Sequence, residues 1–488
     1  MVQLSENEGI EGRTFVVTGG AGHVGSLLCL ELARRGAAEV RSFDLCNSQE
    51  RLALLKDHGV TCIVGDVRRK KDVEKALRNA DCVFHMASFG MSGKEMLQSR
   101  RIDEVNLDGT CHILDSCAKS GVGRLIYTST YNVVYGGQEI RNGTENLPYF
   151  PVEKHIDPYG RSKALAEQLV IRSNGRPLTD KKGKKLYTCA IRPAAIYGPG
   201  EERHLPRILK MARLGLLKFR IGGPNVLTDW VYADNLVHAH LLASMALIDD
   251  LPGRSGVPPA AGQAYFISDG APVNSFELIK PIVEGVGYTM PQREISVKSA
   301  MKLAWCIYAY YGLLYPWLQR SWIPEPFILP AEVLKVGVTH YCSTWKARQE
   351  IGYTAIVDKN DALDRTKTYW KERHAQELDG PPLLTWMLLV GGIFLLGLCV
   401  YVPPPFLGPL ECVRWVGLLI FRSHEALRII FYLALFAHLL EGVYAWMLAM
   451  KADRKNATGW FLQTLVLGYP SLQYLLKRAE KRKFLKHK

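Results

Sequence analysis

The stretch TFVVTGGAGHVG at residues 14–25 decides the fold. Its first five residues are apolar or β-branched and read as a buried strand; the glycines follow directly, and the amphipathic run behind them opens a helix. In that setting Gly19 permits a tight turn, Gly22 lets the backbone approach a pyrophosphate, and Gly25 allows close packing of helix on strand. The helix N-terminus then faces the phosphates.

Outward from this turn the same alternation repeats. EVRSF at 39–43, VTCIV at 60–64, CVFHM at 82–86, RLIYT at 124–128 and YTCAI at 187–191 are short apolar runs separated by amphipathic stretches. They predict parallel strands with helical crossovers, a doubly wound α/β domain of Rossmann type whose ligands sit at the carboxyl ends of the strands. The expected dinucleotide-binding domain spans residues 11–195, and a smaller mixed substrate lobe, interleaved with it, covers 196–375. Within the lobe, AWCIYAYYGLLYPWL at 304–318 is too short to span a bilayer. It suits either a core helix or a cover for a lipid-like ligand.

Composition shifts near residue 380. Leu383 to Val402 is twenty residues without a charge, and Ile429 to Met450 and Ala457 to Leu476 are of similar length, so residues 380–476 are expected to be transmembrane. The stretch 406–421 is short and holds Glu411 and Arg414, leaving the count at three or four. An even count returns the chain to its starting side, and the basic tail at 477–488, with seven Lys or Arg and one Glu in twelve residues, places both ends in the cytoplasm. That tail accounts for +6 of the net charge of +14 and fits anionic lipid better than nucleic acid. The eleven cysteines include no CxxC pair and no ligand spacing with histidine, which argues against a disulfide framework or a metal site and for a reducing compartment. His438 and Glu441 lie three apart within an apparent span, as a functional pair or a bonded pair inside a helical bundle.

Candidate site residues gather on the rim beside the glycine turn. Asp44 ends the second strand, nineteen residues after Gly25, where a carboxylate can accept hydrogen bonds from both adenosine ribose hydroxyls. No cation stands at Leu45, Cys46 or Asn47 to meet a 2′-phosphate, so NAD is expected over NADP. Asp66 follows the third strand, placed to meet the adenine or to cap the next helix. Tyr159 and Lys163 fall four apart at the start of a helix, on one face, where an ammonium favours the phenolate and fits the phenol for proton exchange with an alcohol or carbonyl. Lys163 can also hold the nicotinamide ribose. A chain with 22 tyrosines supplies about one such spacing by chance, so position carries the weight. Thr130 and Ser129, in TSTYNVVYGG at 128–137, follow the fifth strand and can donate a hydrogen bond to the substrate oxygen.

With HMAS at 85–88 and RPAAIYGPG at 192–200, these motifs resemble an extended short-chain dehydrogenase/reductase. Within that superfamily the chain most resembles the 3β-hydroxysteroid dehydrogenase/isomerase family, and its 42E group in particular, through YTSTYNVVYGGQEIRNGTE at 127–145 and the spacing to Tyr159. The resemblance covers about residues 11–375. It implies Tyr159 as acid/base, Lys163 as activator and ribose ligand, and Thr130 as the catalytic hydroxyl. It also implies Ala87 and Pro193 against the cofactor and Asn106 close to the site or as a structural cap. Thr130 stands where Ser is commoner, and His23 interrupts the usual glycine loop.

The expected reaction is oxidation of a sterol 3β-hydroxyl with NAD, or reduction of the 3-ketone, at the endoplasmic reticulum membrane with the catalytic part facing the cytoplasm. A homodimer or a complex with other sterol enzymes would be compatible. The rival within the superfamily is a nucleotide-sugar epimerase or dehydratase, for which Arg203 and Arg207 would hold a diphosphate. A 4,6-dehydratase would need an Asp-Glu pair after the catalytic hydroxyl, where Tyr131 and Asn132 stand. A rival of another class is a membrane scaffold that binds NAD without turnover.

Overall fold

The computed structural model describes residues 7–45, 48–179, 183–249, 256–314 and 324–486. Cys46, Asn47, the end of the 304–318 run and the last two residues of the basic tail lie outside them. The first unit, Met1–Leu205, Phe219–Pro281 and Gln292–Lys367, is built on one sheet. Its strands are β1 (Thr14–Thr18), β2 (Glu39–Asp44), β3 (Thr61–Val64), β4 (Cys82–His85), β5 (Arg124–Thr128), β6 (Lys185–Pro193) and β7 (Ala264–Ile267). They run in the spatial order β3-β2-β1-β4-β5-β6-β7, all parallel, with Arg176–Pro177 antiparallel to β6. The order reverses between β1 and β4, the switch point where α/β sheets of this kind hold their ligands.

Helices cover both faces: α1 (His23–Arg34), α2 (Gln49–Asp57), α3 (Lys70–Leu77), α4 (Gly109–Lys119), α5 (Pro158–Arg172) and α6 (Ala233–Ala246). Alternation along β1 divides the core, because successive side chains of a strand point to opposite faces. Phe15 and Val17 pack with Leu28 and Leu32 of α1 and Leu236 of α6, whereas Val16 packs with Val73, Ile113 and Val170 of α3, α4 and α5. The seventh strand and α6 come from the range assigned to the substrate lobe. AYFI at 264–267 is four residues between Gly- and Pro-rich loops, too brief for a periodicity signal. The unit also carries α7 (Val297–Leu313), which exposes Leu303, Trp305, Tyr308, Tyr310 and Leu313.

The second unit, Pro206–Lys218, Ile282–Pro291 and Thr368–Lys488, is helical. It contains α8 (Leu383–Tyr401), α9 (Glu411–Phe421), α10 (His424–Ala452), α11 (Ala457–Leu467) and α12 (Tyr469–Lys486). Among the described residues two helices, α8 with mean hydropathy 2.4 and α10 with 1.7, are long and apolar enough to cross a membrane. That is fewer than the three or four expected. The stretch Ala457 to Leu476 is not one helix: Gly468, at φ +65° and followed by Tyr469 and Pro470, breaks it. The eleven-residue α9 and α11 reach only about 16 Å each, against a hydrocarbon core of about 30 Å. His438 and Glu441 both approach Gly468, and His438 bonds to the carbonyl of Leu465 at 3.1 Å.

Candidate active site

The glycine turn is locked to β4 by a directional hydrogen-bond chain. The Thr18 hydroxyl accepts from the Met86 and Ala87 amides at 3.1 Å each, so its own proton goes to His85 Nδ1 at 2.7 Å. His85 Nε2 therefore carries the ring proton and donates to Thr110 Oγ1 at 3.0 Å, which donates onward to the Asn106 carbonyl at 2.6 Å. Burial pushes His85 down to about 3, consistent with a neutral ring.

The residues here fit a dinucleotide. Gly19 has φ +71°, and a Cβ on it would stand 2.9 Å from the Ala87 nitrogen. A Cβ on Gly25 would stand 2.2 Å from the Gly19 carbonyl, so the helix can start this close to the strand only with glycine. Gly22 is the N-cap of α1, which has no side-chain cap and no acid in its first turn, leaving its amides for an anion. Asp44 accepts from the Ala21 amide at 3.0 Å and the Leu45 amide at 2.7 Å, which aims the carboxylate across the turn. Sequence reasoning overlooked Arg51 of α2, which donates to the Ala21 carbonyl at 2.8 Å and pairs with Glu202 at 2.7 Å. A cation does stand at the residue that Asp44 bonds, already engaged by two partners. Asp66 is gripped by Arg68, whose hydrogen bonds outweigh burial and hold its carboxyl low. It does not cap α3, whose N-cap is Arg69.

On the other side of the switch point, α5 starts at Pro158, with Asp157 as N-cap accepting from the Tyr159 amide at 3.0 Å. Tyr159 is buried, and the Ser88 hydroxyl of the HMAS segment is among the groups that favour its ionised form. Burial pushes Tyr159 up to about 12, with Arg203 acting against it. Tyr159 is thus raised where the sequence predicts that Lys163 lowers it; the Lys163 Nζ donates to the Thr128 carbonyl at the end of β5 and lies 4.0 Å from the centre of the Tyr127 ring. Burial pushes Lys163 down to about 7, opposed by Glu167.

Thr130 is the N-cap of a short turn, accepting from the Asn132 amide at 3.3 Å and keeping its proton free to donate. The Ser129 hydroxyl beside it is buried and has no partner among the described residues. Pro193, buried, ends β6 beside β7, and Ala87 follows β4. Asn106 lies in a π turn, Glu104–Asp108, and its amide is fully used: it exchanges two 2.9 Å bonds with Phe89 and donates to Ser162, which donates to the Tyr159 carbonyl. That is a tether for the start of α5.

Also unforeseen are Glu167 and Arg192, 0% and 3% exposed, joined on the buried side of α5. The arrangement brings a phenol, three hydroxyls and a buried amine to one sheet edge beside an anion-binding turn, a setting for proton exchange with an alcohol or ketone. Among the described residues no cluster of three His, Cys, Asp or Glu could hold a metal ion.

Comparison with known proteins agrees with the geometry. The sequence pattern of the 3-beta hydroxysteroid dehydrogenase/isomerase family matches residues 16–297, and that of transmembrane protein 254 matches residues 384–477. The chain is 43% identical over 391 residues to human short-chain dehydrogenase/reductase family 42E member 1, covering 80% of this chain and 95% of that one. It is 34% identical over 387 residues to the Arabidopsis thaliana 3beta-hydroxysteroid-dehydrogenase/decarboxylase isoform 1, covering 77% and 83%. Among solved structures, the UDP-glucose 4-epimerase of Stenotrophomonas maltophila, with bound NAD and formylated UDP-arabinopyranose, has a TM-score of 0.55 at 20% identity, covering 74% of this chain and 98% of that chain. That likeness is one of fold. By the length and identity of these sequence matches, the chain belongs to the 3-beta hydroxysteroid dehydrogenase/isomerase family.

Proposed function

We propose that the protein is a membrane-anchored, NAD-dependent oxidoreductase that oxidises the 3β-hydroxyl of a steroid or sterol, or reduces the 3-ketone. The observation that carries this reading is the packing of the helix start that holds the buried Tyr159 against the turn that holds Ser129 and Thr130, on the rim where the glycine turn, Asp44 and Pro193 also end. NAD, when bound, supplies the hydride acceptor. In the oxidising direction the Tyr159 oxygen takes the substrate hydroxyl proton while the C–H electron pair leaves as hydride and the C=O bond forms. Ser88 donates to the phenolate; Ser129 and Thr130 hold the substrate oxygen. Gly19, Gly22 and Gly25 receive the pyrophosphate, Asp44 the adenosine ribose, Asp66 the adenine edge, and Ala87, Lys163 and Pro193 the nicotinamide end.

A sterol is favoured over a nucleotide sugar by the relatives' names and by the apolar face of α7, which suits a lipid-borne substrate. Two apolar helices would return the chain to its starting side, and the positive tail favours the cytoplasm for that side; in this reading the membrane is the endoplasmic reticulum. Membranes holding the full chain are incubated with NAD and 3β-hydroxysterols, with and without a 4-carboxyl group, and with UDP-glucose as a separate arm. NADH formed with a sterol supports the reading, and turnover of UDP-glucose alone reverses it. NAD binding without turnover of any substrate favours the scaffold.

A further inference from the structure

We propose that Glu167 and Arg192 are positioning residues for Tyr159 and Lys163: their ion pair fastens the helix carrying both to the strand that ends at Pro193, and it supplies the negative charge that keeps a proton on Lys163. The inference rests on Tyr159 being the acid/base. Tyr159, Lys163 and Glu167 occupy successive turns of one face of α5. Arg192 Nη2 meets Glu167 Oε1 at 2.6 Å, and its Nε reaches both carboxylate oxygens at 3.0 and 3.2 Å. The Tyr149 hydroxyl donates to the same Oε1 at 2.7 Å, and the rings of Tyr149 and Phe266 lie 5.4 and 5.1 Å from the guanidinium. Arg192 is the residue directly before Pro193, so the pair joins the proton-transfer helix to the cofactor end of the strand, while Thr188 Oγ1 joins them further back by donating to the Val170 carbonyl at 2.7 Å.

Packing alone gives no reason for charge here. Replacing a buried ion pair by apolar side chains of similar volume is often neutral or stabilising, so a clamp between helix and strand needs no Glu or Arg. What the pair adds is a field at Lys163. The other titratable groups around that amine are Tyr159 on its own helix, Tyr127 on β5 and His85 on β4. Burial pushes both tyrosines up and the histidine down, so all three are uncharged near neutrality. Glu167 is left as the charge that favours the ammonium.

The order of proton loss makes this testable. With Lys163 near 7 and Tyr159 near 12, the first proton to leave the pair comes from Lys163. The productive form has lost the same number of protons but keeps one on Lys163 and none on Tyr159. Weakening the field of Glu167 therefore moves the acid limb of the pH profile downward and lowers the plateau by the same factor.

The experiment compares the full-length wild type, Glu167→Leu/Arg192→Met and Glu167→Asp in detergent, measuring Tm, NAD affinity and the pH profile of kcat/KM. The substrate is the 3β-hydroxysterol turned over best in the panel. Expected for the double variant are wild-type Tm and NAD affinity, an acid limb about one pH unit lower and a plateau about tenfold lower. Glu167→Asp, which keeps the charge, holds the wild-type limb. A double variant whose limb stays in place overturns the proposal, whatever its plateau, and so does one that fails to fold. The parent reading fails separately, through turnover surviving in Tyr159→Phe, since the variants compared here all retain that phenol.

Discussion

The ammonium of Lys163 hydrogen-bonds the carbonyl of Thr128, the last residue of β5, while the hydroxyl of the same threonine donates to His240 Nε2 at 2.7 Å. His240 Nδ1 is committed to the Leu236 carbonyl at 2.8 Å, so the direction of the chain is fixed. A buried lysine is thus held by a strand end that is itself held from behind. Lys163→Met is expected to lower kcat by about 10²-fold or more and also to weaken NAD binding, because one amine serves both proton transfer and ribose contact. Calorimetric titration with NAD beside steady-state kinetics checks both parts.

Tyr159→Phe removes the phenolic oxygen without changing the ring. Loss of about 10²–10⁴-fold in kcat is expected, with NAD affinity nearly unchanged. Turnover surviving in this variant would remove Tyr159 as the acid/base.

For Asp44→Ala the measurement is the ratio of NADP to NAD dissociation constants. The wild type is expected to favour NAD, since a 2′-phosphate would meet the carboxylate and the nearby Arg51 is already paired with Glu202. Removing Asp44 takes away both the ribose acceptor and the repulsion, and it should narrow the ratio by about tenfold. A wild type that binds NADP more tightly contradicts the assignment.

Gly25→Ala places a methyl group 2.2 Å from the Gly19 carbonyl. The turn must shift, at a cost of about 1–3 kcal/mol, and NAD binding should fall sharply. Gly36→Ala would not distinguish a crowded turn, since its φ of +81° strains any side chain. Gly123→Ala is the fitting control because a Cβ there meets nothing within 4 Å, and it should leave NAD binding intact.

Buried histidines, among them His85, His240 and His340, set a pH limit on stability. Burial holds His240 at about 4 and His85 at about 3, below the ordinary 6.5. Each binds fewer protons folded than unfolded, so its stabilising effect is complete above about pH 6.5 and is lost as pH falls toward the folded value. The loss is about 1.4 kcal/mol per pH unit per histidine. Denaturation of the full chain between pH 6.5 and 4.5 should show this slope, and His240→Gln should remove one histidine's share. An unchanged slope in that variant would show that His240 does not titrate as placed.

The doubly wound sheet was legible because each of its first six strands is an apolar run bounded by polar residues, and TFVVT and RLIYT match the observed β1 and β5 end to end. The seventh strand was hidden by its brevity. Tyr159, Lys163, Thr130 and Asp44 could be proposed because their neighbours in sequence mark a strand end or a helix start. Ser88, within HMAS, carries no signal of its own, since nothing in one sequence shows that the segment after β4 bears on the tyrosine. Glu167 and Arg192 lie 25 positions apart, and each alone resembles an exposed charge. Their signal was a charge at the i+4 position behind Lys163 and another within an apolar strand. The direction of the Lys163 amine was not readable at all, because spacing fixes the face of a helix and not the partner found there.

The helical unit is not a single length of chain, for it takes Pro206–Lys218 and Ile282–Pro291 together with everything after Thr368. Leu383 donates to the Leu214 carbonyl at 3.1 Å, Arg213 to that of Leu378 at 3.2 Å, and Tyr288 shares bonds with His374 and Asp379. Anyone engineering a water-soluble fragment for crystallisation therefore faces more than the choice of a stop codon. A chain ended at residue 379 would keep Leu214 but lose the Leu383 amide bonded to it. Recoding those two inner segments with polar side chains is part of the same design problem as deleting the tail.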